Sequence, residues 1–512
     1  MVSAIGDFFR LRAPGQGLFG SGDVLFSDAI FGRDSVTAAE VLLHLYPVVA
    51  EEIIHTLARL QGVVEAPAGP HSNEEEPGKI HHEHRSLFVG ARRISATSEE
   101  VLRHLAGRWG GDGSSVTYYG SVDATPLYAR LVLDYCTVHG ESILSSAVTR
   151  LDGATVTIRE SLLAAMDWIT GRMDNSDLGF VEFRRRNPDG ITFQVWKDSG
   201  TSYVHRDASL ANWDAPIAAI EVQAYAYDAL AGAGSLLRRD DWRERAEDLR
   251  GRVLDRMWMP EEQYFAMGID RDAGGRPRWI ESIASNGALV LDTGLLDGLP
   301  DSEEYVSGLV RRIGSPDFVT DAGIRCRPLS EDALVGFQDY HGTWTVWTKE
   351  TFEVVRGLHR QGLHGLARQL ANRILNGVNA AGADVEFLYV SPEGRVMYDF
   401  RGADPRDGAP TEIVATNRPE APQAWTVTAV LALKHWYGRG PVLHRHSHPH
   451  RSRLDAEVCS AIPRLEAFRT RAEAGVAYAG RGEFVINREL GRERDLRARS
   501  TRRGTEREGV EI

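Results

Sequence analysis

The sequence predicts an all-α fold, on three observations. Apolar residues recur at three- and four-residue spacing in about twelve segments, the period of a helix with one buried face. No strand–helix alternation of the kind that builds a parallel sheet appears, and no GxGxxG or GxxxxGK[ST] string follows a strand-like run. The segments are joined by long loops rich in Gly, Asp and aromatic residues.

In chain order, the first pair of helices falls in 36–61, VTAAEVLLHLYPVVAEEIIHTLARLQ, split at Pro47, which suits a first helical turn. Further segments are 98–107, 124–138, 159–171, 216–234, 240–257, 284–292, 302–313, 348–361, 363–378 and 424–437. The intervening loops are 62–97, 108–123, 172–215, 314–347 and 380–423. Strand-like pieces such as VEFLYVS (385–391), with a turn at Pro392–Gly394, are expected to form short hairpins there. Residues 438–512 lack apolar periodicity apart from a weak helix near 454–472. HRHSHPHRSR (444–453) and the Arg-rich run 492–509 mark them as a partly disordered tail following a domain at 1–437.

The 512-residue chain carries 42% hydrophobic and 26% charged residues, ordinary for a globular protein, and a net charge of −13. That charge argues against nucleic-acid binding, which needs a basic face. The three cysteines, Cys136, Cys326 and Cys459, are far apart, which argues against a disulfide framework or a zinc site. With no DxDxDG loop either, no metal and no cofactor are expected. No long apolar run indicates a signal peptide or a membrane span, so the expectation is a cytoplasmic protein without a membrane partner. Oligomeric state is not legible.

The chemistry-bearing residues lie in the loops and at predicted helix starts. QVWKDSG (194–200) sets Trp196, Lys197 and Asp198 side by side, an aromatic ring, a cation and an acid that suit protonation of a sugar's leaving oxygen. A plain reading is a polar turn, and Lys197 is expected to face a substrate hydroxyl or another acid. FGRDS (31–35) offers Arg33 and Asp34, with Asp34 or Ser35 also readable as a helix cap. YYGSVDATPLY (118–128) offers Tyr119 and Asp123, again with capping as the alternative. IEVQAYAYDAL (220–230) buries Glu221 and Gln223 in an apolar helix, where an interhelical hydrogen bond competes with ligand binding. YHGTWTVW (340–347) contributes His341 and Trp347. Glu386 sits among apolar residues in ADVEFLYV (383–390), and RPEAPQAWT (418–426) adds Glu420, Gln423 and Trp425. Together these strings suggest a carbohydrate pocket at the mouth of a helical toroid.

In this order, GRDS, YYGSVDATPLY, WKDS, EVQ with two following tyrosines, YHG and PQAW resemble amylo-α-1,6-glucosidase-like proteins, the glucosidase half of glycogen debranching enzymes. They are also similar to processing α-glucosidases and mannosylglycerate and glucosylglycerate hydrolases. The resemblance covers about 20–437. It implies an (α/α)6 barrel, a six-hairpin toroid with long loops and short β-hairpins on the active-site face. It further implies hydrolysis of an α-glucosidic bond with inversion. On it, Asp198 is the general acid and Glu386 the general base, with Glu420 the competitor for that role. Arg33, Asp34, Asp123, Trp196, Lys197, His341, Gln423 and Trp425 would line the glucose subsite, with Tyr119, Glu221 and Trp347 in support. Phe193 and Val195 replace the usual Asn and Gly of the WKDS string, and VWTKE (346–350) replaces VWP, which bears on the substrate more than on the reaction. A glycoside phosphorylase and a non-catalytic carbohydrate-binding toroid are the rival readings.

Overall fold

The computed structural model describes residues 4–23, 25–336, 339–397, 419–438 and 449–465. Among them run fourteen α-helices: α1 Ala4–Leu11, α2 Gly32–Leu42, α3 Pro47–Arg59, α4 Ala96–Trp109, α5 Ala124–His139, α6 Ile158–Asp174, α7 Ile220–Leu236, α8 Asp240–Met257, α9 Asn286–Leu289, α10 Ser302–Ile313, α11 Thr348–Arg360, α12 His364–Ala381, α13 Ala424–Gly438 and α14 Pro449–Ala461. The predicted segments correspond closely, with four differences. The 284–292 segment shortens to α9 plus a 3-10 turn at Val290–Asp292, and α1 has no counterpart among the predicted segments. The weak helix near 454–472 lies instead at α14. It packs on α10 and α12, where the Asp455 carboxylate accepts 2.8 Å bonds from the amides of Gly365 and Leu366 in the first turn of α12. The fourth difference is in two helix starts: α2 begins at Gly32 rather than Val36, and α7 at Ile220 rather than 216. Residues 444–448 of the His-rich tract and all of the Arg-rich run lie outside the described residues.

Burial sorts the helices into two sets. Every residue of α2 and α9 is buried, as are most of α5, α7 and α11. A helix apolar or internally paired all round must be enclosed by neighbours. Contacts run α2 to α5, α5 to α7, α7 to α9, α9 to α11, α11 to α13 and α13 back to α2, which closes a cycle. Outside it, α3 packs on α2, α6 on α5, α8 on α7, α10 on α9, α12 on α11 and α1 on α13. The outer helices bury one stripe; α8 turns only Trp242, Ala246, Leu249, Val253 and Met257 fully inward.

Among the outer helices α3, α6, α8, α10 and α12 only α6 has a side-chain cap, and α4, which belongs to neither set, has another. Thr157 and Glu160 form a capping box at α6, and the Ser95 hydroxyl accepts from Ser98 N–H at α4. The inner helices α2, α5, α7 and α11 have no side-chain cap. For three of them a short strand fixes the entry instead: Ala29–Phe31 before α2, Ala218–Ala219 before α7 and Thr345–Trp347 before α11. These strands belong to three-stranded antiparallel sheets. In one, Thr345–Trp347 pairs with Phe387–Val390, Trp347 opposite Phe387, which brings Glu386 beside the start of α11. In another, Phe31 pairs with Glu83, which pairs with Tyr118. At Gly32 a Cβ would stand 2.1 Å from the His81 carbonyl oxygen, so the α2 entry requires glycine.

About two turns further along the same inner helices lies a buried ion cluster. Arg130 of α5 pairs with Glu40 of α2 at 3.3 Å and Asp292 at 2.8 Å, and Arg356 of α11 pairs with Glu40 at 2.7 Å and with Asp292. It ties four positions of the cycle together beneath the site.

Candidate active site

The N-terminal ends of the inner helices gather the predicted residues. Arg33 and Asp34 lie in the first turn of α2, Asp123 precedes α5, Glu221 is in the first turn of α7, and Gln423 precedes α13. Asn286 opens α9, and Lys349 and Glu350 lie in the first turn of α11; the sequence reading singles out none of these three. Helix N-termini carry partial positive charge, which favours acids there.

Asp198 sits at the centre of this group. Its Oδ1 accepts a 2.7 Å hydrogen bond from the Tyr340 hydroxyl, and its Oδ2 lies 3.5 Å from Arg33 Nη2. Arg33 in turn donates to Asp123 Oδ2 at 2.9 Å, and the Ser121 hydroxyl donates to Asp123 Oδ1 at 2.6 Å. Asp123 is therefore held by a guanidinium and a hydroxyl and does not cap α5, and the residue preceding α2 is Phe31, so neither Asp34 nor Ser35 is a cap. Burial raises the Asp198 carboxyl to about 6; Arg33 and the Tyr340 bond oppose that rise, and Asp123 adds to it. Asp34 is pushed up to about 7, again chiefly by burial, against the pull of Arg33. Glu221 reaches about 7 for the same reason, although Asn286 Nδ2 donates to it at 2.9 Å. Three carboxyl groups at this end thus retain protons well above the ordinary carboxylate range.

Lys197 faces an acid, Glu350, at 2.7 Å, and both side chains are wholly buried. Burial alone would lower the Lys197 ammonium, but Cys326 and Glu350 reverse this and raise it. Trp196 donates its indole N–H to the same Glu350 oxygen at 3.3 Å. Lys349 Nζ stands 4.2 Å from the centre of the Trp196 ring and pairs with Glu353 at 2.6 Å. The Trp196 edge also meets Trp347 at 5.0 Å, His341 at 5.5 Å and Trp425 at 5.6 Å. At 2% exposure Trp196 is a packed floor beneath Asp198 and has no open face for a sugar ring. His341 stacks on Trp347 and donates its backbone N–H to the Asp339 carboxylate. Its imidazole is held well below the ordinary range by burial and by four surrounding cations, led by Lys197.

Glu386 and Glu420 are joined through the backbone. Glu420 N–H donates to Glu386 Oε2 at 3.0 Å, and Glu386 N–H donates to the Glu420 carbonyl at 2.9 Å. The Glu420 carboxylate accepts the Ser21 hydroxyl at 3.0 Å and the Leu25 amide at 3.2 Å on one oxygen. The Trp425 indole N–H points to the Glu386 carbonyl at 3.4 Å. The aromatic floor connects the two halves of the site: Trp347 meets Trp196 on one side and Phe387, the neighbour of Glu386, at 4.9 Å on the other.

Two predicted residues have other duties. The Gln223 amide is committed to the backbone of Val181 and Ala219, and the Tyr119 hydroxyl donates to the Leu60 carbonyl at 2.9 Å. Conversely, several buried polar atoms at this end have no hydrogen-bond partner among the described residues: Arg33 Nε, Glu221 Oε2, His341 Nε2, Glu350 Oε2 and Gln423 Nε2. Buried polar groups are normally paired, so this set is suited to a polyhydroxylated ligand. Sequence reasoning misses Tyr340, Asp339 and Glu350. The available signal for Glu350 is Lys197, whose burial demands a counter-charge.

Among the described residues no helix is long and apolar enough to cross a membrane, and no group of His, Cys, Asp or Glu is arranged to hold a metal ion. No family model and no curated protein matches the sequence. Solved structures do. An uncharacterized conserved protein from Thermus thermophilus aligns with a TM-score of 0.50 at 15% identity, over 84% of this chain and 98% of that one. A GH63 mannosylglycerate hydrolase from the same organism, in complex with glucose, aligns with a TM-score of 0.50 at 16% identity over the same shares. The chain thus has a helix-rich fold similar to that of a GH63 glycoside hydrolase.

Proposed function

We propose that the chain is an inverting glycoside hydrolase acting on an α-glucosidic bond, of the amylo-α-1,6-glucosidase type. Residues 1–437 would form the catalytic domain, an (α/α)6 toroid whose six inner helices are α2, α5, α7, α9, α11 and α13. The observation that carries this reading is Asp198: a carboxyl held protonated to about pH 6 beside Arg33 and Tyr340, among helix starts rich in polar atoms. In the reaction, Asp198 donates its proton to the glycosidic oxygen as the bond to the anomeric carbon breaks. Glu386 takes a proton from a water that attacks that carbon from the other face. Glu386 is taken as the base on its place in the VEFLYV string, and Glu420, one oxygen of which holds both the Ser21 hydroxyl and the Leu25 amide, is its competitor. Arg33 and Asp123 position Asp198, and the unpartnered atoms of Glu221, His341 and Gln423 would receive sugar hydroxyls. The fold shared with a mannosylglycerate hydrolase keeps α-mannosides among the candidate substrates.

The reading is tested with a panel of α-glucosides and α-mannosides, including maltooligosaccharides, branched glucans and glycosylglycerates. Hydrolysis of at least one without added phosphate is expected, and Asp198→Asn should reduce it by about 100-fold or more. Turnover that requires phosphate, or that survives the substitution, would reject the assignment.

A further inference from the structure

A cavity of about 390 Å3, lined by none of the residues just assigned to the site, lies between the hairpin turn at Pro14–Gln16 and the hairpin at Phe88–Gly90. Its floor includes Ile30, His84 and Arg59. The volume falls in the roughly 300–1,000 Å3 range of small-ligand sites. Arg59 ends α3, and its guanidinium makes no hydrogen bond or ion pair among the described residues. Burial lowers it from its ordinary value, and no acid offsets that effect. A half-buried guanidinium that faces a cavity has lost part of its hydration, and here no acid replaces it.

The other groups around the cavity do not supply the missing charge. His84 shares a 2.8 Å hydrogen bond with Thr117 and is held neutral, near 3, by burial and by Arg59 itself. Asp28 reaches the cavity, but its two oxygens are engaged by Arg92 and by the Ser98 hydroxyl at 2.9 Å. The Gln16 side-chain amide has no partner among the described residues. At the rim Phe88 is 53% exposed, with the Arg93 guanidinium 5.9 Å from its ring centre.

We propose that this cavity binds a small oxyanion-bearing molecule, with a phosphate or carboxylate group seated on Arg59 and Gln16 and its remainder against Phe88. Arg suits either group through paired N–H donors. The inference does not rest on the catalytic reading, since none of these residues takes part in it. One consequence concerns geometry: Ile30 lies in the strand that leads directly into Arg33, so an occupant would abut the entry to α2.

The test is calorimetric titration of the full chain with inorganic phosphate and, separately, with gluconate. Binding of at least one at a single site is expected; phosphate alone would identify a phosphate-bearing ligand, gluconate alone a carboxylate-bearing one. Arg59→Gln should weaken that binding by about tenfold or more, while Arg103→Gln, on an exposed cation outside the cavity, should leave it unchanged. Gln16→Ala, in the Pro14–Gln16 turn, should also weaken it, and a melting curve for each variant confirms that it is folded. No binding of either probe to the wild-type chain, or binding that persists unchanged in both Arg59→Gln and Gln16→Ala, would overturn the proposal.

Discussion

Replacing Asp198 by Asn should stabilise the folded chain, and only above a defined pH. The Asp198 carboxyl titrates near 6 in the folded state against an ordinary value of 3.8. Because the folded value is raised, the unfolded chain releases this proton first. Wild-type stability therefore falls as pH rises from about 4 to about 6 and levels off beyond that, by linkage. At about 1.4 kcal/mol per pH unit, the displacement corresponds to about 3 kcal/mol. The side chain is 15% exposed, so solvent screening reduces this little. The asparagine side chain cannot ionise and resembles the protonated acid, so variant and wild type should be equally stable near pH 3.5. They should diverge between pH 4 and 6 and differ by about 3 kcal/mol at pH 7. For a chain this long, that is about 3 °C in melting temperature. Urea unfolding at a series of pH values reads the effect without any substrate. If the variant is less stable at pH 7, or the difference does not change with pH, Arg33 and Tyr340 outweigh burial, Asp198 is an ordinary ion-paired carboxylate, and its assignment as an acid fails.

Tyr340→Phe removes a hydrogen bond that favours the charged form of Asp198, so the alkaline limb of the kcat/KM profile should move up by about one pH unit; a downward move would contradict the geometry. Lys197→Met strands the fully buried Glu350 and should cost about 3–5 kcal/mol of stability in urea unfolding, most of it recovered in the Lys197→Met/Glu350→Gln double variant; additive losses would show that the two do not act as a pair. Glu386→Gln should lower kcat by about 100-fold or more and respond to added azide. Glu420→Gln should act mainly on stability through Ser21 and Leu25, and the reverse pattern would exchange their roles.

Helix positions are legible in the sequence because the inner and outer helices both repeat apolar residues at helical spacing, and α8 and α10 fall at the limits that spacing predicts. What periodicity cannot show is which helix is enclosed. The start of α2 lies four residues before its predicted position because Gly32, Arg33, Asp34 and Ser35 look like a loop; a paired strand, not a cap, starts that helix. The convergence of the polar strings is legible, since most of them precede or open an inner helix. Their individual duties are not. Gln223 and Tyr119 bond to local backbone, a matter of side-chain direction, and Trp196 is a floor because Trp347 and Trp425 arrive from distant segments. Glu350 and Tyr340 stand within or beside the quoted strings, but their pairing with Lys197 and Asp198 spans well over a hundred residues.

If Asp198 protonates the leaving group while a base on the opposite face activates water, the anomeric carbon must invert. Proton NMR of the anomer first released from a hydrolysed α-glycoside, recorded before mutarotation, reads this directly. The wild-type chain should release the β-anomer, and Asp198→Asn should release none. Initial release of the α-anomer would contradict inversion and the pairing of Asp198 with Glu386.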